Sequence, residues 1–180
     1  MLSPHVVISA IEEEFDLELD GTLTAYPSYV NRVYEVRERE GESYIVKFYR
    51  PERWSEDAIA EEHAFVTDCE SYDVPVVAPI ATDEGHTLCG VIAERDGTGE
   101  EQEFLFSLYP KRGGRSFDAE SDDDWIRLGG LAGRVHAAAA SGVASHRLVC
   151  TPAVSTIGFL KALREDRVVH PEYAEEFFDT

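Results

Sequence analysis

At 180 residues, with 43% hydrophobic and 11% aromatic side chains, the chain can bury a sizeable core, and its length suits one domain or a small lobe followed by part of another. A formal charge of -20, from 36 acidic and 16 basic residues, argues against nucleic acid or a membrane as the main partner, because a polyanion would be repelled and any anionic ligand must be gripped locally. Cys69, Cys89 and Cys150 are odd in number and widely spaced, which argues against a disulfide framework or a zinc site. The apolar stretch near the N-terminus is too short to span a bilayer and carries no basic region, so a cytoplasmic location is expected. Three lysines among the 16 basic residues fit either a high-salt cytoplasm or ordinary solubility charge.

In chain order, Ser3 before Pro4 is an N-cap followed by proline at the first helical position. Val7, Ile8, Ile11 and Phe15 then recur at helical spacing, so a short amphipathic helix is expected to end near Phe15. From Leu17 to Arg37 the pattern changes to alternation interrupted by Pro27-Ser28, which predicts two antiparallel strands around a turn. A polar connection, Glu38 to Glu42, leads by a hairpin into the strand Ser43-Tyr-Ile-Val-Lys-Phe-Tyr49. In that run Lys47 is a single ammonium among residues suited to a sheet buried on both faces, where it persists only if an anion meets it.

Ser55 followed by Glu56 and Asp57 opens a helix through about Glu70. Ile59, Glu62, Val66 and Cys69 share one of its faces, so Glu62 is expected to point with the apolar residues, with Glu61 as the alternative should the helical phase differ by one. Val74 to Ile80 is an extended, proline-punctuated entry to a further strand. Thr87 to Ala93 and Glu103 to Tyr109 read as two more, separated by a loop from Asp96 to Glu101. The sheet signals end at Pro110, which divides the chain into 1–110, a sheet-bearing lobe, and 111–180, a linker and the start of a helical lobe. An acidic run from Asp118 to Asp124 precedes a helix from about Trp125 to Ala140. Its apolar residues and Gly129, Gly130 and Gly133 predict burial against a close neighbour, with His136 as a core histidine. Two weaker helical segments, Thr156 to Arg164 and Pro171 to Phe178, complete the chain.

The expected fold is therefore α+β: a five-stranded antiparallel sheet with one main helix, arranged as a protein-kinase-like small lobe, then the first helices of an incomplete helical lobe. The segments Ser28-Tyr-Val-Asn-Arg-Val-Tyr34, Val46-Lys-Phe-Tyr-Arg-Pro-Glu-Arg-Trp54, Ile59-Ala-Glu-Glu-His63, Val74-Pro-Val-Val-Ala-Pro79, Tyr109-Pro-Lys-Arg-Gly-Gly-Arg115 and Gly133-Arg-Val-His136 carry a more specific signal. Together they resemble the stress response kinase A family, bacterial serine/threonine protein kinases of the aminoglycoside-phosphotransferase (choline-kinase-like) fold. The resemblance implies ATP and magnesium as cofactors and protein hydroxyls as substrates. Small-molecule phosphotransferases of the same fold and a non-catalytic nucleotide-binding or interaction module are the alternatives.

By this resemblance Lys47 is the ATP lysine, a point charge for the α and β phosphates, and Glu62 is the helix glutamate that positions it. The turn from Tyr26 to Asn31 takes the place of a phosphate-covering loop without a glycine-rich motif, so backbone amides, the Ser28 hydroxyl and Asn31 would form the cradle. Phe106 to Pro110, with Leu108 and Tyr109 inside it, would be the hinge that receives adenine through main-chain groups, with Ile45, Val77 or Leu108 as apolar neighbours of the base. The family's His-Gly-Asp-x-His-x-x-Asn segment and later Asp-x-Asp stretch do not occur in these 180 residues. No catalytic residue and no metal ligand is therefore assigned here, the magnesium ligands being expected outside the chain. The chain is expected to be an N-terminal portion, inactive alone, with self-association through apolar surface that a following lobe would cover.

Overall fold

The computed structural model describes residues 2–95, 98–114 and 116–179. They form two compact units, Met1–His146 and Arg147–Thr180. In the first, helix α1 (Pro4–Phe15) precedes strands β1 (Leu19–Tyr26), β2 (Arg32–Glu38) and β3 (Ser43–Phe48); helix α2 (Glu56–Ser71), strands β4 (Cys89–Glu94) and β5 (Glu101–Pro110), and helix α3 (Asp122–Ala140) follow. Local chemistry sets the boundaries. The Ser3 and Ser55 side chains accept the Val6 and Ala58 amides at the starts of α1 and α2. Asp16 closes α1 in the left-handed region at φ 49°.

The five strands form one antiparallel sheet in the order β1-β2-β3-β5-β4. Their alternation divides the sheet between two covers. Val46 and Phe48 of β3, with Phe104, Phe106 and Leu108 of β5, turn towards Val7, Ala10 and Ile11 of α1 and form the main apolar core. Phe106 lies between Phe48, stacked at 5.1 Å between ring centroids, and Phe15, edge-on at 6.4 Å. The intervening residues, Lys47, Tyr49, Ser107 and Tyr109, are left for the opposite face. There α2 lies across the sheet, with Glu62 bonded to Lys47 and His63 to Tyr49.

The segment read as an extended entry to a further strand, Val74 to Ile80, runs extended outside the ladder, and its Ile80 amide donates to the Leu108 carbonyl at 2.7 Å. In the predicted loop from Asp96 to Glu101, Asp96 and Gly97 lie outside the described residues, as does Arg115 of the linker. Helix α3 departs from its expected burial. Only its stripe of Leu131, Val135 and Ala138 meets α2 and the following segment, at Cys69, Val74 and Val76. Trp125 and Ile126 are exposed, His136 is a surface residue, and a Cβ added at Gly129, Gly130 or Gly133 would meet nothing within 4 Å. The reason is geometric: one packed neighbour covers one stripe of a helix, whatever the composition of the remainder. Because α3 packs on α2, the first unit continues past Pro110, where the sheet ends.

The second unit has a wide π-type turn at Pro152–Ile157, capped by Thr151, which runs into α4 (Gly158–Glu165); α5 (Pro171–Phe178) follows. Within it the Arg164 guanidinium lies 4.6 Å from the centroid of the Phe178 ring. Among the described residues no helix is long and apolar enough to cross a membrane.

Candidate functional site

Lys47 leaves β3 on the α2 face, and its Nζ lies 3.1 Å from Glu62 Oε1. The two side chains keep 25% and 33% of their exposure, so the pair is sheltered but open on one side to solvent or ligand. The lysine has a second neighbour in the Tyr49 ring, 4.5 Å from Nζ to the centroid. Tyr49 follows Lys47 by two residues on an extended chain, so both point the same way, and the ring face presents negative potential to the ammonium. Glu62 reaches the lysine because Ala58 and Ile59, buried on the same side of α2, turn it towards the sheet.

Glu61 has a different task. Its carboxylate accepts the backbone amides of Ser145 at 2.7 Å and His146 at 2.9 Å, while His146 Nδ1 lies 3.6 Å from Asp57. Adjacent glutamates on α2 thus hold different neighbours: Glu62 the sheet, Glu61 the chain that follows α3.

Behind the ion pair lies a buried polar cluster centred on His63. The hydroxyl of Tyr49 is 3.0 Å from His63 Nε2, those of Ser107 and Tyr109 are each 3.4 Å from it, and Thr87 Oγ1 is 2.8 Å from Nδ1. Tyr109 and Tyr49 also share a hydrogen bond at 3.3 Å. Burial lowers the imidazole's proton affinity; Lys47 acts in the same direction and Glu62 against it. A neutral ring satisfies the cluster if Tyr109 donates to Tyr49, Tyr49 to Nε2, and Nδ1–H to Thr87. Burial, followed by the neighbouring Tyr49, raises the Tyr109 phenol, which keeps it a donor at neutral pH. In the sequence His63 stands only as the last residue of the segment Ile59-Ala-Glu-Glu-His63, with no role assigned to it. Its offset of four from Ile59 was the available signal, since that places it on the buried face.

The turn between β1 and β2 stands at the end of β3 that carries the lysine, because Val33 is paired with Lys47 and Arg32 with Phe48. Asn31 Oδ1 accepts the Arg50 amide at 3.3 Å, tying the turn to the chain just after β3. Ser28 and Asn31 line a depression of about 320 Å³ with Leu2, Arg32, Arg50 and Phe104. The structure therefore brings Lys47 and Glu62 together, places Ser28 and Asn31 beyond the same strand end, and sets Tyr109 in the His63 cluster. It does not bring the Phe106 and Leu108 side chains to the lysine: both are fully buried in the α1-facing core, one residue out of phase with it. Their main chains are occupied as well, Phe106 opposite Cys89 and the Leu108 carbonyl by Ile80. Ile45 is half-buried and Val77 exposed. Among the described residues no group of three histidine, cysteine or acidic side chains gathers as a metal site.

A strand lysine paired to a glutamate on the helix across a five-stranded antiparallel sheet is the arrangement of a kinase small lobe. The model of the phosphotransferase enzyme family, APH, matches residues 22–178. The chain belongs to this phosphotransferase family. Among similar proteins, Stress response kinase A of Escherichia coli O157:H7 is 36% identical over 166 residues, which is 92% of this chain and 45% of that protein. Serine/threonine protein kinase RdoA of Salmonella typhimurium (strain LT2) is 37% identical over 135 residues, covering 75% of this chain and 38% of its own length. The chain thus spans less than half the length of these relatives. In fold, it is similar to an amicoumacin kinase solved in complex with AMP-PNP, Ca2+ and Ami, with a TM-score of 0.64 and 19% identity over 91% of this chain and 51% of that one.

Proposed function

We propose that the chain is the nucleotide-holding portion of an ATP-dependent serine/threonine protein kinase of the Stress response kinase A type. The observation that carries this reading is the Lys47–Glu62 ion pair at 3.1 Å, sheltered between β3 and α2 in a phosphotransferase-family chain. The donor set fits a triphosphate. A lysine ammonium has three donors, Glu62 occupies one, and the Tyr49 ring fixes the side without competing for a hydrogen bond. When bound, ATP would supply the phosphoryl group and magnesium would neutralise its charge.

In this proposal Lys47 binds the non-transferred phosphates and Glu62 holds the lysine in line, while Ser28, Asn31 and the amides of their turn close over the ligand. Tyr109 backs the segment where β5 runs into the linker, the stretch from Phe106 to Pro110 that an adenine would meet. Identity of 36% across 92% of the chain to a named kinase favours a protein hydroxyl as acceptor over a small alcohol. No group for accepting the hydroxyl proton is assigned among the residues around Lys47, so transfer would require residues beyond those described here.

The test is titration of the 180-residue chain with ATP and magnesium, followed by NMR shifts of residues around Lys47. Saturable shifts at Lys47, Tyr49 and the turn from 27 to 31, lost in Lys47→Met, are expected. Absence of any shift at millimolar ATP would sink the proposal, and phosphoryl transfer by the isolated chain would contradict the expectation that it holds nucleotide without using it.

A further inference from the structure

The ion pair and the His63 cluster share two elements in a way that limits how α2 can move. Glu62 and His63 are adjacent on the helix, and Lys47 and Tyr49 are alternate residues on one extended chain. Glu62 binds Lys47 at 3.1 Å and His63 meets the Tyr49 hydroxyl at 3.0 Å. The Tyr49 ring lies 4.5 Å from the Lys47 ammonium, which closes the figure. One contact alone would let the helix pivot about it; two, on neighbouring residues, oppose both rotation and sliding. Thr87 at 2.8 Å fixes the far side of the imidazole, so the ring cannot swing away with the helix.

We propose that His63 is a positioning residue for the Lys47–Glu62 pair: its imidazole pins α2 to Tyr49 so that Glu62 stays on the lysine. The functional consequence, a lysine held ready for phosphates, rests on the nucleotide reading above. The pinning itself does not. The Lys47–Glu62 pair keeps 25% and 33% of its side-chain exposure, so water competes for it. His63 is 4% exposed and its contacts are sheltered, so a bond lost there leaves a buried hydroxyl or ring nitrogen without its partner. The charged groups facing the imidazole are Lys47 from β3 and Glu62 from α2; Tyr49, Ser107, Tyr109 and Thr87 complete its surroundings as neutral hydroxyls.

Two measurements on the intact chain test this with His63→Leu, which keeps bulk but no hydrogen bond, His63→Gln, whose amide can restore one, and Tyr49→Phe, which keeps the ring under Lys47 and removes only the hydroxyl. The first is amide hydrogen exchange without nucleotide. His63→Leu and Tyr49→Phe should speed exchange at residues 58–66 by about tenfold while β3 and β5 stay as in the wild type, with His63→Gln partly restoring protection. Unchanged exchange on α2, or equal acceleration in the sheet, overturns the proposal as a mere loss of packing. The second is ATP affinity with magnesium. His63→Leu should weaken it about tenfold and add nothing further in a Glu62→Gln background, because both act through one helix position. Full additivity, or affinity within about twofold of the wild type, overturns it. If the wild-type chain binds no ATP, the nucleotide reading fails and the exchange result alone decides. If His63→Leu does not fold, Tyr49→Phe and His63→Gln carry the same comparison.

Discussion

Lys47→Met separates what the lysine does for the fold from what it does for a ligand. In the folded chain the substitution removes one ion pair and one ammonium–ring contact, while the methionine keeps most of the buried stem. Side chains 25% and 33% exposed retain solvent screening, and water can take over the freed Glu62 carboxylate. The pair is therefore worth about 0.5–1 kcal/mol, well below the 3–5 kcal/mol typical of breaking a fully buried pair. The ring contact adds roughly another 0.5–1 kcal/mol. A total of about 1–2 kcal/mol lowers the melting temperature of a chain this size by roughly 2–8 °C. Phosphate recognition responds on another scale. A hydrogen bond between charged partners contributes about 1.5–3 kcal/mol, or roughly 10–150-fold in affinity. Thermal melting and the ATP titration should therefore diverge, with a small shift in Tm and at least a tenfold loss of affinity. A stability loss above about 4 kcal/mol would show that the lysine is a buried structural charge, and unchanged affinity would remove it from the nucleotide site.

Phe106→Ala should destabilise the chain by about 3–5 kcal/mol in urea denaturation, as expected of a ring fully buried between Phe48 and Phe15 and not of an exposed ligand contact. Glu61→Ala should raise exchange at the amides of Ser145 and His146 while leaving the ATP-induced shift at Lys47 in place; loss of that shift would mean that the two glutamates do not act separately. His63 is held below its ordinary pKa, so the unfolded chain binds the extra proton first as pH falls. Its contribution should be constant above about pH 6.5 and should cost stability below it, down to the lower folded-state pKa. The stability advantage of wild type over His63→Gln should therefore shrink over that interval, and one that stays constant would contradict this. Thiol labelling should modify Cys150, which is exposed, ahead of Cys69 and Cys89, both buried; the Cys89 thiol is pushed up to about 12 by burial, with Glu14 adding to it.

Much of the fold was legible because its determinants are local. Ser3-Pro4 and Ser55 cap helices through their own side chains, the break at Pro27-Ser28 separates β1 from β2, and the alternation around Lys47 places a charge on one face of β3. The helical phase from Ile59 favoured Glu62 with Glu61 as the alternative, the resemblance made it the lysine's partner, and the structure pairs Lys47 with Glu62. What strand periodicity alone does not say is which face of β5 lies beside Lys47. Antiparallel pairing sets Ser107 opposite Lys47 and sends Phe106 and Leu108 into the α1 core, so their hydrophobicity marks packing against α1.

The sequence by itself determined the order of the elements and the family likeness, and through that likeness it pointed to the lysine–glutamate pair, since each depends on residues within one or two neighbouring segments. Only the tertiary structure decided what surrounds that pair. The His63 cluster draws Tyr49, Thr87, Ser107 and Tyr109 from places up to 60 residues apart, and a hydroxyl's partner across such a distance leaves no periodic trace. Helix α3 shows the same limit from the other side. Its apolar composition suggested burial, but exposure depends on how many neighbours the fold supplies, and α2 supplies one stripe of contact.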